Sequence, residues 1–234
     1  MTELTLPIIG YMHSSYKEKF GIPRQPNLVQ VESYIEMSAP YNDVLAFERI
    51  EAFSHLWLLW QFHDNKNPEK TQFRPQVRPP RLGGNKKIGV FATRSMYRPS
   101  QIGLSVVRLK CVKKEGKSVR VYVTRSDLLD GTPIVDIKPY IHYSDAVIDA
   151  ESGYAQDEPN RKSVIWSDRA IEQKQQLLTS GKLSVQTAQE LEAVLSLDPR
   201  PAYQDDEARI YGMKFANLDV KFKVNETCIE IQEL

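Results

Sequence analysis

HLWLLWQF, residues 55–62, is the run on which the fold turns. Its leucines and tryptophans fall on both parities, so a strand built from it is apolar on both faces, as a central strand is. It is the longest apolar block in the chain and falls well short of the roughly eighteen residues needed to cross a bilayer. Outward from it, Val29, Val31, Ser33 and Ile35 alternate with Gln30, Glu32 and Tyr34, the period of a half-buried strand. Ile88, Val90 and Ala92 repeat that pattern. Residues 104–112 and 119–124 are strand-like and flank the turn-rich Lys113-Lys114-Glu115-Gly116-Lys117-Ser118, which predicts a hairpin. Residues 42–53 are the helix expected in this half, with Val44, Phe47 and Ile50 at spacing three. Short strands between turns, with few helices, predict a mainly β fold, a small barrel or sandwich over residues 1–150.

The texture changes after a polar linker, residues 151–160, which contains Gly and Pro and has no periodicity. Asp168 is placed to cap a helix running to about Ser180, with Gly181 at its end. Ser184 is placed to cap a second, with Val185, Ala188, Leu191 and Leu195 on one face. Leu218, Val220, Phe222 and Val224 then alternate with charged residues, and Thr227, Ile229 and Ile231 continue the pattern after a turn near Asn225. Residues 161–234 therefore read as a smaller α+β domain.

Composition narrows the function classes. The 234 residues are 41% hydrophobic and 26% charged, the balance of a globular protein. The start, MTELTLPIIG, carries an acid early and does not read as a secretory signal. Two distant cysteines, Cys111 and Cys228, fit packed thiols in a reducing cytoplasm rather than a zinc site or disulfide scaffold. No metal site is expected. The net charge of +1 conceals a strong asymmetry. Residues 65–98 hold nine cations against the single acid Glu69, a net +8 that leaves −7 for the rest. A basic segment on an acidic protein suits a polyanion such as RNA.

Several catalytic signatures are absent: GxGxxG, the P-loop, GxSxG and HExxH. His13, His55, His63 and His142 are scattered. A hydrolase thus lacks a nucleophile–base pair, and a Rossmann-type cofactor site lacks its strand–turn–helix unit. Four polar clusters instead interrupt strand-like runs. They are residues 19–26, containing Pro23, Arg24, Gln25 and Pro26; residues 61–64, ending in His63 and Asp64; residues 93–104; and residues 127–133, leading to Asp136, Lys138 and Tyr140. Strand-end loops on a rigid scaffold are where sites are built. The acids Asp64, Asp127, Asp130 and Asp136 suit a cationic ligand, and Phe20 and Tyr97 offer cation–π faces. Asp130-Gly131 is also ordinary turn chemistry.

These clusters carry a resemblance. PRQP at 23–26, FSHLWLLWQFH at 53–63, RPPRLGG at 78–84, GVFATRS at 89–95, RPSQIGLS at 98–105 and DLLDGTPIVDIKPY at 127–140 resemble the TsaA-like (YaeB-like, TrmO) family. A fainter match lies at Leu197-Asp198-Pro199-Arg200-Pro201-Ala202-Tyr203. The resemblance implies a small non-Rossmann β-barrel that binds S-adenosylmethionine, is usually a homodimer, and methylates N6-threonylcarbamoyladenosine beside the tRNA anticodon. By motif it assigns cofactor contacts to Pro23, Arg24, Gln25, Pro26, His63, Asp64, Arg94, Leu104, Asp127, Leu128, Leu129 and Asp130. The family usually carries RPNPIG where this chain has Ser100 and Gln101. For the chemistry, Asp136 or Tyr140 is expected to assist proton removal, and Lys138 or Arg98 to support a carbonyl or phosphate. All four fit equally well as residues that only position RNA. The alternative from another class is a non-catalytic barrel that binds RNA or the cofactor.

Overall fold

The computed structural model describes residues 4–64, 73–200 and 206–234. Strands β1 (Gly10–His13), β2 (Glu32–Met37), β3 (His55–Gln61), β6 (Ile102–Glu115), β7 (Ser118–Thr124) and β8 (Pro133–Pro139) close a barrel in the order β1-β2-β7-β6-β3-β8. Every pairing in it is antiparallel. The short pair β4 (Gln76–Val77) and β5 (Ile88–Gly89) stands apart from the barrel.

Strand β3 sits between β6 and β8, as its composition requires. Leu56, Leu58 and Trp60 are buried in the barrel, packed with Met12, Ile35, Val107, Val121 and Ile134. The intervening Trp57 and Leu59 face outward and are half-buried. The predicted hairpin forms as β6 and β7 around the turn at Gly116, whose φ of 63° suits glycine.

Two local expectations in the barrel half are overturned. Residues 42–53 form no α-helix but two 3-10 turns, Val44–Phe47 and Ile50–Ala52. Arg49 separates them in the left-handed region at φ 67°, and neither turn has a buried residue to reward continuing as a helix. The alternation at 88–92 sustains only the two residues of β5 before a 3-10 turn, Val90–Ala92. Val90 is buried there, its N–H donating to the Pro75 carbonyl at 2.9 Å, and the Thr93 hydroxyl donates to the Val90 carbonyl at 2.7 Å.

After a short helix α1 (His142–Asp145), residues 163–234 build a four-stranded sheet with two helices. The strands are β9 (Ser163–Trp166), β10 (Tyr211–Phe215), β11 (Leu218–Val224) and β12 (Cys228–Glu233), in the order β10-β11-β12-β9. The turn at Asn225 forms because its side-chain carbonyl accepts the amides of Thr227 and Cys228, at 2.9 and 2.7 Å. Helix α2 (Asp168–Thr179) is capped by Ser167 rather than Asp168, the Ser167 hydroxyl accepting the Ala170 amide at 3.2 Å. Helix α3 (Val185–Leu195) is capped by Ser184 as expected. Val185 is exposed, however, and the buried face is Ala188, Glu190, Leu191, Val194 and Leu195.

This sheet and its helices have a core distinct from that of the barrel, and the barrel half contributes to it. Tyr16, Val29 and Val31, from the barrel half, belong to the same buried cluster as Phe215, Phe222 and Ile231. Tyr16 bridges to Phe215, and the Ala216 amide donates to the Ser15 carbonyl at 2.8 Å. Cys111 and Cys228 are free thiols, each half-buried. No helix among the described residues is long and apolar enough to cross a membrane.

Candidate functional site

All four polar clusters converge on one open cavity of about 660 Å³. Residues 19–25 contribute Lys19, Pro23, Arg24 and Gln25, and β3 with its C-terminal extension contributes Trp57, Trp60, Phe62, His63 and Asp64. The third cluster adds Arg94, Arg98 and Leu104, and the fourth Asp127, Leu129 and Thr132. Strand ends bring them together, since β3 and β6 pair through Trp60 opposite Gly103 and Leu59 opposite Leu104.

The strand side of the cavity is fixed by a relay from buried Trp60 and Ser105 to half-buried Asp127. Trp60 donates its indole N–H to Ser105 Oγ at 3.0 Å, and Ser105 donates to Asp127 Oδ1 at 2.7 Å. Gly103 makes room for the indole: a Cβ there would lie 2.2 Å from Trp60 Cε2. Phe62 packs edge-on against Trp60 at 4.4 Å between centroids. Burial pushes the Asp127 carboxyl up to about 6, against the opposing pull of the Ser105 hydroxyl and the charge of Arg94. A desolvated carboxyl held by one hydroxyl is a strong seat for a cation or for a proton donor.

The loop side is held by longer, more exposed side chains. Arg94 donates from Nη1 to Gln25 Oε1 at 2.7 Å, and Lys19 pairs with Asp64 at 3.5 Å. Arg98 donates to the Thr93 carbonyl at 2.9 Å. Arg24 donates from Nη2 to the carbonyl of Arg200 at 3.2 Å, so the C-terminal region braces this wall. Arg200 is in turn clamped by both carboxylate oxygens of Asp198, at 2.9 Å each.

The remaining expected residues lie elsewhere. Pro26, the last residue of the first cluster, does not line the cavity. The Leu128 side chain is fully buried in the barrel core, and its carbonyl accepts the Ser14 hydroxyl at 2.9 Å. Asp130 is engaged by the Ser14 amide and by Lys17, both at 2.9 Å. Asp136, Lys138 and Tyr140 surround Trp57 rather than line the cavity. Lys138 is the register partner of Trp57, Asp136 pairs with Lys138 at 2.7 Å, and the Tyr140 ring lies 5.8 Å from that of Trp57. Trp60, Ser105 and Gly103 were not named as site residues by the sequence, although Gly103 falls in the third cluster and Trp60 and Ser105 in the quoted motifs. A glycine within a strand-like run beside a Trp-rich strand was the available signal, since such a glycine marks close approach. No group of His, Cys, Asp or Glu placed to hold a metal occurs among the described residues.

Residues 11–146 match the family described as tRNA-methyltransferase O N-terminal domain, and residues 159–234 match the TrmO C-terminal domain. The chain belongs to the TrmO family. It is 42% identical over 234 residues to the tRNA (adenine(37)-N6)-methyltransferase of Escherichia coli K12, covering 99% of this chain and 97% of that one. A Pseudomonas aeruginosa PAO1 relative, RcsF, named as a candidate S-adenosylmethionine-dependent methyltransferase, is 45% identical over 223 residues, 94% of this chain and 92% of its own. The crystal structure of TrmO from Pseudomonas aeruginosa superposes with a TM-score of 0.78 at 36% identity, covering 100% of this chain and 98% of that one. The mainly β architecture with a closed barrel is thus that of the TrmO family.

Proposed function

We propose that this chain is a tRNA (adenine(37)-N6)-methyltransferase that uses S-adenosylmethionine and acts on adenosine already carrying an N6-threonylcarbamoyl group. The observation that carries the reading is the cavity joining a desolvated carboxyl to a cation-rich rim, in a chain similar over its whole length to the Escherichia coli enzyme. The volume lies within the usual range for small-ligand sites, about 300–1,000 Å³. A buried carboxyl, aromatic walls and an amide suit a ligand with a sulfonium, an adenine and an amino acid end. Pro23, Arg24, Gln25, His63, Asp64, Arg94, Leu104, Asp127 and Leu129 would hold it from the cavity wall. Pro26, Leu128 and Asp130 would contribute through the backbone or by fixing their loops.

When bound, S-adenosylmethionine supplies a methyl group already activated by its sulfonium. The protein has three tasks left: exclude water, aim the acceptor nitrogen, and remove one proton. Trp57, Trp60 and Phe62 exclude water from one wall. Asp136 or Tyr140, beside Trp57, takes the proton from the acceptor nitrogen. Lys138 or Arg98 holds the carbonyl oxygen or a neighbouring phosphate, which stabilises negative charge as the proton leaves. Single-turnover rates of the four alanine variants at saturating cofactor and tRNA test these roles; an unchanged rate removes that residue from the chemistry.

The protein acts as a cytoplasmic homodimer in this reading, and its C-terminal region contacts tRNA or supports the dimer. Light scattering that reports the mass of one chain would refute the dimer. The reaction is tested with labelled S-adenosylmethionine and two tRNA pools, one bearing threonylcarbamoyladenosine and one lacking it. Label in the modified pool alone is expected. Label in both rejects the proposed acceptor, and label in neither, with both ligands shown to bind, leaves a binding module.

A further inference from the structure

Phe91 and Phe73 stand on the surface, 68% and 56% exposed, with ring centroids 6.1 Å apart. Single exposed apolar residues are common, but two exposed rings in contact, one of them on anchored backbone, are not. Phe91 is the anchored one. Buried Val90 precedes Phe91, and the Ala92 carbonyl that follows it accepts the Tyr154 hydroxyl at 3.2 Å. The Arg98 guanidinium lies 5.6 Å from the Phe91 centroid, and Arg98 also lines the cavity. One side chain therefore spans from the cavity rim to the aromatic pair. Around it, residues 73–98 carry seven cations and no acid.

We propose that the Phe73–Phe91 pair is a stacking seat for a nucleobase adjacent to the methylated adenosine, an inference that rests on the tRNA reading above. Presenting one base of an RNA loop to a cavity removes it from its neighbour, which loses a stacking face. Exposed aromatic rings replace that face in proteins that read single-stranded RNA, and flanking cations take the phosphates. The occupant is RNA because the seven cations of residues 73–98, with no acid among them, match a run of phosphates beside the stacked base.

The test compares the wild-type protein with Phe91→Ala, Phe91→Trp and Phe73→Ala. Its probe is a modified tRNA carrying 2-aminopurine at each base flanking the target in turn. Stacking on Phe91 quenches one of the two probes in the wild type. Phe91→Ala abolishes that quenching and weakens tRNA binding about 5- to 150-fold, the range for loss of one base–aromatic stack. Phe91→Trp restores both, and S-adenosylmethionine affinity is unchanged throughout. Unaltered tRNA affinity and quenching in Phe91→Ala, with methylation by the wild type intact, overturns the seat and leaves the functional reading standing. A fall in tRNA affinity accompanied by a fall in molecular mass also overturns it, because the rings then seat a second copy of the chain. A wild-type protein that binds no tRNA overturns the functional reading and the seat together.

Discussion

The cavity has two walls of opposite construction. The strand wall is short-range and dry: Trp60, Ser105 and Asp127 form one hydrogen-bonded line on paired strands and the loop that follows β7, with a glycine opposite the indole. The loop wall is built from Arg24, Gln25, Arg94 and Arg98, whose partners are carbonyls and an amide at the surface. A rigid wall fixes where a ligand's charge sits and what that desolvation costs. A flexible cationic wall adjusts to a large polyanion. Substitutions in the first wall should therefore damage stability and cofactor binding together, while those in the second should separate them.

The sharpest break is Gly103→Ala. The added methyl would lie 2.2 and 2.3 Å from two atoms of the buried Trp60 ring, so the indole must move and Ser105 loses its donor. Overpacking of this kind costs about 1–3 kcal/mol, to which the disrupted relay adds. Thermal denaturation should show the loss, and cofactor titration of the remaining folded protein should show weakened binding. A fully stable variant would mean that the wall is softer than its geometry implies.

Ser105→Ala is next, expected to cost about 1–3 kcal/mol because it leaves the Asp127 carboxyl and the Trp60 N–H without their shared partner. It also has a pH signature. The folded-state pKa of Asp127 is raised from 3.8 to about 6, so between those values the folded state binds more protons than the unfolded one. Stability from this group is therefore present below about 4 and lost as pH rises through 6. Removing the hydroxyl that favours the ionised form should move the upper edge of that window higher. Asp127→Asn should abolish the slope. Denaturant midpoints from pH 4 to 8 check both; parallel profiles for all three proteins would place the titration elsewhere.

The same contrast explains what could be read without coordinates. Strand β3 and the hairpin were legible because burial on two faces and period-two alternation leave direct marks in composition. The four polar clusters were legible as interruptions, and strand pairing carries all four to one cavity. Arg49 was not legible as a break, since arginine is a good helix former and its left-handed backbone has no side-chain signature. The brace between Arg24 and Arg200 was equally hidden: the acceptor is a backbone carbonyl, 176 residues away. Asp136 and Lys138 pair with each other on β8 beside Trp57, whose ring reaches the cavity, a placement that no spacing in the sequence announces.

That brace makes a prediction for the loop wall. Asp198→Ala removes the bidentate clamp on Arg200 and the 3.5 Å ion pair with Lys162, freeing the carbonyl that holds Arg24. Hydrogen bonds to charged groups contribute about 1.5–3 kcal/mol, and Arg200 is only 8% exposed, so some stability is lost. The separable effect is functional. The KM for S-adenosylmethionine should rise several-fold with kcat little changed, because the wall is loosened without touching the relay. Equal losses in both constants would assign Asp198 a purely structural role.

The smallest effect belongs to a second tie between the same two regions, which touches neither wall. Glu190 on α3 accepts the Glu32 amide at 3.0 Å and the Gln186 side-chain amide at 2.9 Å, joining α3 to the start of β2. Burial raises its carboxyl pKa, and the like charge of Glu32 adds to that, against these hydrogen bonds and Lys110. A raised carboxyl stabilises the fold only while protonated, so its contribution disappears as pH climbs above the ordinary carboxylate range. Glu190→Gln keeps an oxygen for the Glu32 amide and removes the buried charge. Stability at pH 7 should then change by no more than about 1 kcal/mol, the net worth of one such hydrogen bond, and the part of the pH slope independent of Asp127 should flatten. The KM for cofactor should stay at the wild-type value. A cofactor defect in Glu190→Gln equal to that of Asp198→Ala would show that any loosening between the two regions disturbs the cavity, and the brace through Arg24 would lose its special place.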